Sequence, residues 1–306
     1  MRLNQSIINK LKSKINWDSI KEISEGYDPC YKFCIVKDNK RYLLKVFNKA
    51  NLDKKQREYN ILQNLNNFAF LKPVAIQFEM VDNDYYYFLL TWISGQSLDN
   101  YVRNDNSKSI NLYNLGYKIG LSLYEFHCAN QIKTNIDKIS RIREKLEVYK
   151  NSKFNLKKED IVLAYIYSNI YKLQRQPVSL IHGDLTETNI IINQKNEIGI
   201  IDFGNACVNY SYYDLHQVQM YNRFFSIDLS VGIIDGYIQN VNDTSLFWEC
   251  FKIYNAYLSL YKLVWAKKYG ENEIKKMTER YYQTLMDYND FENDIPNWYK
   301  QYKNIL

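Results

Sequence analysis

The chain changes its pattern of apolar residues near residue 93, and this change limits the folds open to it. Before that point, alternating stretches at 31–37 and 41–47 flank a three-residue polar turn, which predicts a β-hairpin. Stretches at 74–81 and 85–91 predict a second hairpin in the same way. After Ile93 the apolar residues recur at the spacing of long helices. An antiparallel sheet followed by a helical region is therefore predicted.

Helical periodicity occupies most of the remaining chain, with one interruption. Two short helices are predicted before Ile93, at 4–13 and 53–66, and the helices after it at 111–131, 135–150, 158–175, 212–224, 228–240, 245–269 and 271–289. The interruption is a strand-like segment at 179–202 with a polar turn at 194–197. The predicted fold class is α+β, with a small sheet lobe at 1–93 and a large, mostly helical lobe at 94–306.

Composition argues against several classes of protein. The net charge is +6, but no run of five or six basic residues is present, so nucleic acid is not an expected partner. Five cysteines without CxxC spacing and three histidines do not indicate a zinc site. Because the chain has no run of 18 apolar residues and its start lacks a signal-peptide core, we expect a cytoplasmic protein without a membrane partner.

Polar residues between two buried runs give the sharpest functional signal, at 181–192 (IHGDLTETNIII). His182, Asp184 and Asn189 must find partners there or take part in chemistry. Asp202 ends a further apolar run 13 residues after Asn189, and a hairpin would bring these two residues towards each other. Carboxylate and amide oxygens suit Mg²⁺, and Asp184 would lie beside the metal as a base or positioning group for an attacking hydroxyl.

Each of these loops also has a structural explanation. Asp184 alone is explained as the cap of a turn, and Asp202 alone as the cap of a helix. The two loops together, at this spacing, favour the catalytic interpretation.

A lysine and a glutamate in the first lobe are predicted to form an ion pair. Alternation places Lys45 on the strand face that also carries Leu43 and Phe47. Glu58 lies on the apolar face of the next helix, for which Asp53 is the predicted cap. Glu58 would then orient Lys45 towards nucleotide phosphates. In the alternative, the lysine reaches solvent and the glutamate lies at the edge of its helix.

Two further segments are assigned by their position. The loop at 24–30, with the single glycine Gly26, lies where a turn covering phosphates would be expected. Residues 91–94, where the pattern changes, are in place to offer backbone groups to a purine.

Together these motifs resemble the aminoglycoside phosphotransferase family, whose members are related to the protein kinases. The segments that carry the resemblance are HGDLTETN, IDFGNA, RYLLKVF, KKQREYN, YYFLLTWISGQSL, FKIYNAYLSLYKLVWAKKYG and IPNWY. The resemblance covers nearly the whole chain and implies a bilobal protein-kinase-like fold.

The resemblance also implies Mg²⁺ as cofactor, ATP or GTP as co-substrate, and a role for each matching residue. These roles are Asp184 as catalytic aspartate, His182 as the support of its loop, Asn189 and Asp202 as magnesium ligands, Lys45 on the α- and β-phosphates with Glu58 as its partner, Thr91 and Ile93 as backbone contacts to the nucleobase, and Gly26 in the turn over the phosphates.

Three departures from the kinase pattern bear on the substrate. No G-x-G-x-x-G surrounds Gly26, and Gly183 stands where protein kinases have arginine. Nine residues separate Gly204 from Asp214, and no A-P-E follows. This spacing leaves no room for an activation segment or a protein-docking platform, so we expect a small-molecule acceptor.

The expected function is transfer of phosphate to a hydroxyl of a small molecule, with an aminoglycoside-type or related antibiotic favoured. Such a cation needs an acidic pocket, and the candidate carboxylates are Asp287, Asp290, Glu292 and Asp294. A metabolic acceptor of the choline, homoserine or sugar type is the alternative. The aromatic residues that suit choline, Trp248, Tyr254, Tyr257, Tyr261 and Trp265, also recur at the helical spacing of core residues.

Alternatives from another class are a catalytically silent kinase-like binding protein and a structural descendant such as a spore-coat protein. The presence of Lys45, Asp184, Asn189 and Asp202 together argues against the silent binding protein, and absent turnover with association to a coat would support the structural descendant. A monomer or weak dimer is expected.

Overall fold

The computed structural model describes residues 3–24, 30–66, 70–104 and 110–305. The chain divides into two compact units, Met1–Tyr101 with Thr188–Ala206, and Val102–Glu187 with Cys207–Leu306. The first unit is built mainly around antiparallel strands and the second mainly from helices, so the predicted α+β class is confirmed. The assignment of nucleotide binding to 1–93 and acceptor binding to 94–306 stays a prediction.

The elements up to residue 104 alternate strands with short helices. They are α1 (Gln5–Ile15), β1 (Ser19–Ile23), β2 (Tyr31–Lys37), β3 (Lys40–Asn48), α2 (Leu52–Asn64), β4 (Ala75–Met80), β5 (Tyr85–Thr91), β6 (Gln96–Ser97) and α3 (Leu98–Arg103).

The elements from residue 110 onwards are mostly helical. They are α4 (Leu112–Ala129), α5 (Ile139–Asn151), α6 (Glu159–Asn169), β7 (Val178–Ile181), β8 (Ile190–Ile192), β9 (Ile198–Ile200), β10 (Cys207–Tyr210), α7 (Arg223–Phe225), α8 (Ile227–Ile238), α9 (Thr244–Ala266), α10 (Glu271–Asp287) and α11 (Asn297–Ile305). Among the described residues, no helix has both the length and the apolar character needed to cross a lipid bilayer.

A five-stranded antiparallel sheet forms the first unit, in the order β1-β2-β3-β5-β4. Both predicted hairpins, β2–β3 and β4–β5, are present. Leu44 and Val46 of β3 are fully buried and pack with Leu11 and Ile15 of α1. The helix therefore covers one face of the sheet with the apolar stripe that its sequence predicts.

The predicted cap of α2 is wrong. The helix begins at Leu52, and its N-cap, Asn51, makes no side-chain capping bond. Asp53 is exposed in the first turn, where its charge favours the positive end of the helix. The side chain of Asn48 instead accepts the N–H of Ala50 at 3.0 Å, capping a short 3₁₀ turn before the helix.

The predicted helix at 212–224 is present as a helical stretch, but it is not a regular α-helix. This stretch consists of a 3₁₀ turn (Ser211–Leu215), a π-helical turn (Val218–Asn222) and the short α7. Asp214 and Gln217 are buried there, and a side chain buried in this way needs a particular partner. We attribute the irregular backbone to the positions that these buried polar side chains must take to reach their partners. The spacing of apolar residues carries no information about such partners, so it predicted a regular helix.

Helices α4 and α8 approach each other closely because glycines line their contact. A Cβ built on Gly120 would overlap the carbonyl oxygen of Ile233, and one built on Gly236 would overlap that of Tyr117. A hydrogen in place of each side chain lets the two backbones meet. This contact fixes the relation between His127 near the end of α4 and Tyr237 in α8.

Candidate active site

The β8–β9 hairpin brings the predicted magnesium ligands together. Ile190 pairs with Ile200, and the N–H of Ile201 donates to the carbonyl of Asn189 at 3.0 Å. Asp202 follows directly in the left-handed conformation, with φ 64°. The predicted approach of Asn189 and Asp202 is therefore present, while their role as ligands stays a prediction.

Lys45 lies between two carboxylates inside the first unit. Its Nζ is 2.5 Å from Oε1 of Glu58 and 3.1 Å from Oδ1 of Asp202. The side chains of Lys45 and Glu58 are 2% and 1% exposed, so the predicted ion pair is present and the surface alternative is wrong. The helix α2 and the strand β3 place these two charges face to face.

Two more lysines, which the sequence did not single out, join this group. Nζ of Lys55 is buried 3.0 Å from Oε2 of Glu58, and Nζ of Lys32 is 3.6 Å from Oδ2 of Asp202. Lys55 lies three residues before Glu58 on α2, a spacing that could have drawn attention to it. Three ammonium groups against two carboxylates leave one positive charge, which suits an anion such as phosphate.

Neighbouring charges keep both Asp202 and Lys45 ionised. Burial alone would raise the pKa of Asp202, but Lys45 and Lys32 outweigh it and hold this pKa well below its usual range. Burial alone would lower the pKa of Lys45, but Asp202 and Glu58 raise it above its ordinary value. Asp202 is thus ionised at neutral pH, as a cation ligand must be.

The donor set fits magnesium better than a transition metal. Among the described residues, no group of three or more His, Cys, Asp and Glu side chains could hold a metal ion. Asn189 and Asp202 offer oxygen atoms, and Mg²⁺ commonly takes one or two protein ligands, completing its shell with water and substrate phosphates. The residues present are compatible with that arrangement.

The predicted nucleobase contacts fall at Thr91 and Ile93, and the predicted turn over the phosphates falls at Gly26. The N–H of Thr91 donates to the carbonyl of Val74 at 3.0 Å, so this backbone donor already has a partner. The side chain of Ile93 packs close to Gly199. Gly26 lies outside the described residues. The roles of these three positions stay predictions.

Asp184 belongs to the second unit, on a loop that a buried carboxylate holds. Oδ2 of Asp214 accepts the backbone N–H of His182, and its Oδ1 accepts that of Gly183, each at 2.7 Å. The N–H of Asp184 donates to Nδ1 of His182 at 3.3 Å, which is consistent with the predicted supporting role of this histidine. Gly183 has φ 80°, a conformation that side chains rarely adopt.

A buried histidine completes this support. Nε2 of His127 lies 3.1 Å from Oδ2 of Asp214, and its Nδ1 lies 2.8 Å from the hydroxyl of Tyr237. Burial would raise the pKa of Asp214, but the hydrogen bond and charge of His127 lower it below the ordinary value. The sequence analysis missed both Asp214 and His127 as site residues. The available signal was a carboxylate and a histidine inside apolar helical patterns.

Gln217 is a further polar residue beside Asp184. Its Nε2 donates to Oδ1 of Asp184 over a long 3.5 Å. Its side chain is 3% exposed, and its Oε1 has no hydrogen-bond donor among the described residues. Gln217 therefore presents a buried acceptor next to the predicted catalytic carboxylate.

The four candidate acceptor carboxylates have separate partners. Asp287 lies 2.5 Å from Arg223, Asp290 lies 2.5 Å from Lys158, and Asp294 lies 3.2 Å from Lys252. Glu292 accepts from the side chain of Asn289 at 2.6 Å. Because three of these charges are neutralised locally, the structure does not gather them into one acidic surface. Their role in acceptor binding stays a prediction.

The aromatic residues of α9 divide by burial. Trp248, Tyr254 and Tyr257 are at most 8% exposed and pack in the core, as their helical spacing indicates. Tyr261 and Trp265 are partly exposed.

The sheet-bound Lys45–Glu58 pair, the Asn189–Asp202 hairpin and the fixed Asp184 loop are together the features of a kinase-like phosphotransferase. The sequence model described as the phosphotransferase enzyme family (APH) matches residues 19–245, so the chain belongs to this family. The predicted family resemblance is thereby confirmed. A search of curated proteins finds no match.

Solved structures of aminoglycoside phosphotransferases share the fold. The gentamicin complex of APH(2")-IIa is 16% identical, covers 92% of this chain and 97% of its own, and has a TM-score of 0.63. ADP-bound APH(2'')-Ib is 18% identical, with 92% and 98% covered and a TM-score of 0.61. APH(4)-Ia is 13% identical, with 92% and 98% covered and a TM-score of 0.65. The kinase-like fold predicted from the sequence is therefore confirmed.

Proposed function

We propose that the protein is a magnesium-dependent O-phosphotransferase that moves the terminal phosphate of ATP or GTP onto a hydroxyl of a small molecule. The observation that carries this proposal is the ionised Asp202 beside Asn189 and the buried Lys45–Glu58 pair. A cation site next to a fixed ammonium is what a triphosphate requires.

In this proposal each side chain of the first unit has a separate task. Asn189 and Asp202 hold Mg²⁺, which when bound neutralises phosphate charge. Lys45 binds the α- and β-phosphates, and Glu58 keeps its ammonium in position. Because the transition state of phosphoryl transfer is loose, positioning and charge neutralisation supply most of the catalysis.

Asp184 acts on the acceptor hydroxyl. Its carboxylate orients the hydroxyl or takes its proton, and Asp214 fixes the loop from which it acts. Gln217 contacts the same carboxylate and limits its rotation.

An aminoglycoside-type antibiotic is the first candidate acceptor. It is supported by family membership and by relatives solved with gentamicin and with hygromycin B. A metabolic acceptor is the second candidate, and a specific observation favours it. Lys262 and Arg280 lie over the ring of Tyr221, and Lys262 interacts electrostatically with Asp184, so an ammonium group of an acceptor bound against Tyr221 would meet two positive charges.

The direct test is turnover of ATP and GTP with Mg²⁺ in the presence of aminoglycosides and metabolic alcohols, with phosphorylated product followed by mass spectrometry. Asp184→Asn should fold with an unchanged melting temperature and lose nearly all transfer. Asp160→Asn, which changes an exposed carboxylate of α6, is the matched control and should retain it. Near-normal transfer by Asp184→Asn would refute the role of this residue. Failure of every acceptor and nucleotide would favour a silent binding protein.

A further inference from the structure

Three helices of the second unit each supply a basic side chain to one cluster, of which Lys262 interacts electrostatically with Asp184. These side chains, here called the basic cluster, are Lys145 of α5, Lys262 of α9 and Arg280 of α10. Lys262 interacts electrostatically with Lys145, Arg280 and Asp184. Arg141 of α5 adds a fourth positive charge near Lys145.

Tyr221 lies between two members of the cluster. Nζ of Lys262 is 5.0 Å from the centre of its ring, and Cζ of Arg280 is 4.7 Å from the same centre. Arg280 is 9% exposed and also donates to the carbonyl of Met220. Nζ of Lys262 additionally lies 5.2 Å from the ring centre of Trp265. Aromatic rings and a carbonyl therefore hold both cations in place.

Neither Lys262 nor Arg280 has a carboxylate within ion-pair distance among the described residues. Glu273 acts on both at longer range and lies 3.8 Å from Lys276 instead, and Glu187 acts on Arg280 at longer range. Burial, with the charge of Arg280, lowers the pKa of Lys262 to about 8 against the opposing effect of Asp184 and Glu273. Three like charges that no carboxylate of the described residues contacts directly repel one another, and a bound anion would relieve this repulsion.

Other buried cations of this unit do have such partners. Arg223 lies 2.5 Å from Asp287, and Lys252 lies 3.2 Å from Asp294. Lys262 and Arg280 therefore differ from these two cations in lacking a carboxylate at ion-pair distance among the described residues.

Gln217 connects the cluster to the predicted point of phosphate transfer. It lies four residues before Tyr221 and donates to Asp184, while its buried Oε1 has no donor among the described residues. A ligand at the cluster that also carries hydroxyl groups would supply that donor.

We propose that the phosphate acceptor is a small polyhydroxylated anion. Its carboxylate or phosphate binds Lys262 and Arg280, a hydroxyl donates to Oε1 of Gln217, and the reacting hydroxyl faces Asp184. This inference rests on the proposed function and narrows its acceptor class. A polyamine such as an aminoglycoside would instead bring ammonium groups against the cluster.

The reaction on such an acceptor balances without a further reagent. The acceptor oxygen forms a bond to the terminal phosphorus of the nucleotide while the bond from that phosphorus to the bridging oxygen breaks. The nucleoside diphosphate leaves with the electron pair, and Asp184 receives the hydroxyl proton. The products are a phosphate ester that keeps its original anionic group and a nucleoside diphosphate.

Calorimetric titration tests the site without requiring turnover. The protein is first saturated with Mg²⁺ and AMP-PNP, so that the nucleotide site is filled, and is then titrated with gluconate, sorbitol, glucosamine and inorganic sulfate. The first three are polyols of similar size with negative, zero and positive charge. We expect gluconate to bind at least about tenfold more tightly than sorbitol, glucosamine not to bind measurably, and sulfate to bind weakly.

Variants assign the binding to the cluster. Lys262→Met should weaken both gluconate and sulfate about tenfold or more, and Lys262→Arg should restore most of the affinity. Lys267→Met removes another lysine that lies over an aromatic ring, Phe154, and should change neither affinity. Gln217→Leu should weaken gluconate but not sulfate, because only gluconate has a hydroxyl to donate. Melting temperatures confirm that each variant folds.

Several results would overturn the proposal. These are equal affinity for gluconate and sorbitol, tighter binding of glucosamine, an unchanged gluconate affinity in Lys262→Met, or no binding of either anion at millimolar concentration. Anion binding that depends on Lys262, together with absent phosphate transfer, would support the anion site and reject the proposed phosphotransfer. The two failures are therefore distinguishable.

Discussion

A carboxylate oxygen of Asp214 lies 2.7 Å from the backbone nitrogen of Gly183, one residue before the predicted catalytic Asp184. The other oxygen of Asp214 accepts the N–H of His182 at the same distance. A single buried side chain thus holds two consecutive peptide groups of the loop. The orientation of Asp184 depends on a residue 30 positions later in the chain.

Replacing this carboxylate should affect both stability and activity. Asp214→Asn substitutes an NH₂ for one acceptor, so that a buried N–H of the loop loses its partner, and we expect a loss of about 2–4 kcal/mol in the free energy of unfolding. Turnover should fall about 100-fold because the Asp184 loop is no longer fixed. Urea unfolding and acceptor-dependent ATP turnover measure the two effects. Glu125→Gln, an exposed change in the helix that carries His127, should alter neither, and an active, equally stable Asp214→Asn would contradict this account.

The two partners of the Lys45–Glu58 pair should behave differently when removed. Glu58→Gln takes one negative charge from both buried ammoniums, Lys45 and Lys55, and should cost about 3–5 kcal/mol of unfolding free energy. Lys45→Met leaves Glu58 paired with Lys55, so its stability loss should be smaller.

For Lys45→Met the main effect should appear in nucleotide binding, as a rise of about tenfold or more in the KM for ATP. Urea unfolding and initial rates at limiting ATP separate the two effects. Lys54→Met, an exposed change on the helix α2 that carries Glu58, is the control. Equal destabilisation by Glu58→Gln and Lys45→Met would show that the ion pair with Lys55 does not stabilise the buried charge of Glu58.

The close contact of α4 and α8 predicts whether Gly120→Ala raises or lowers the stability of the protein. Helix propensity alone would make Gly120→Ala stabilising by about 1 kcal/mol. Because the added methyl group overlaps the carbonyl of Ile233, we expect destabilisation by about 2–3 kcal/mol instead. Thermal unfolding decides between the two. Ser122→Ala, on the same helix, should show only the small propensity gain, and a stabilising Gly120→Ala would refute the close contact.

The buried ammonium of Lys262 should make stability depend on pH in the absence of a ligand. Its pKa is lowered from 10.5 to about 8, so the unfolded chain binds more protons than the folded protein between these values. The cost of the charge is therefore fully present below pH 8 and is relieved as the pH rises towards 10.5. The charges that act on Lys262 are Asp184, Arg280, Glu273 and Lys145.

Removing this charge should accordingly stabilise the ligand-free protein at neutral pH. We expect Lys262→Met to raise the free energy of unfolding on the order of 1–2 kcal/mol at pH 7, and the gain to shrink by pH 9.5. Urea unfolding of both proteins at the two pH values measures the difference. A loss of stability at pH 7, or a gain that grows with pH, would show that the charge is compensated within the fold.

Periodicity and turn chemistry carried most of the fold prediction. The hairpins of the first unit and the long helices α4, α9 and α10 lie within a few residues of their predicted positions. Such elements repeat one local pattern over many residues, and the pattern survives whatever they pack against. The strands β1 and β10 and the helices α3 and α11 were missed because they are short or lack a clean repeat.

The site residues likewise divide into those that a local pattern revealed and those that it did not. Lys45, Glu58, Asn189 and Asp202 were found from local signals, namely an inward charge on a strand or helix and a polar residue at the end of a buried run. Lys32 and Lys55, which contact Asp202 and Glu58, were missed because their charges look solvated in the sequence. Asp214 and His127, which hold the Asp184 loop, were missed because each is defined by a contact with another part of the chain.

The amino-acid sequence was enough to establish the two hairpins of the first unit, the long helices, the hairpin that joins Asn189 to Asp202 and the inward direction of Lys45. These properties depend on residues a few positions apart, where chain geometry leaves few choices. Tertiary structure decided that Asp214 and His127 hold the loop of Asp184. It also decided that Lys145, Lys262 and Arg280 cluster with no carboxylate of the described part of the chain at ion-pair distance. Those relations join helices far apart in the chain, and only packing sets which of their side chains share a buried space.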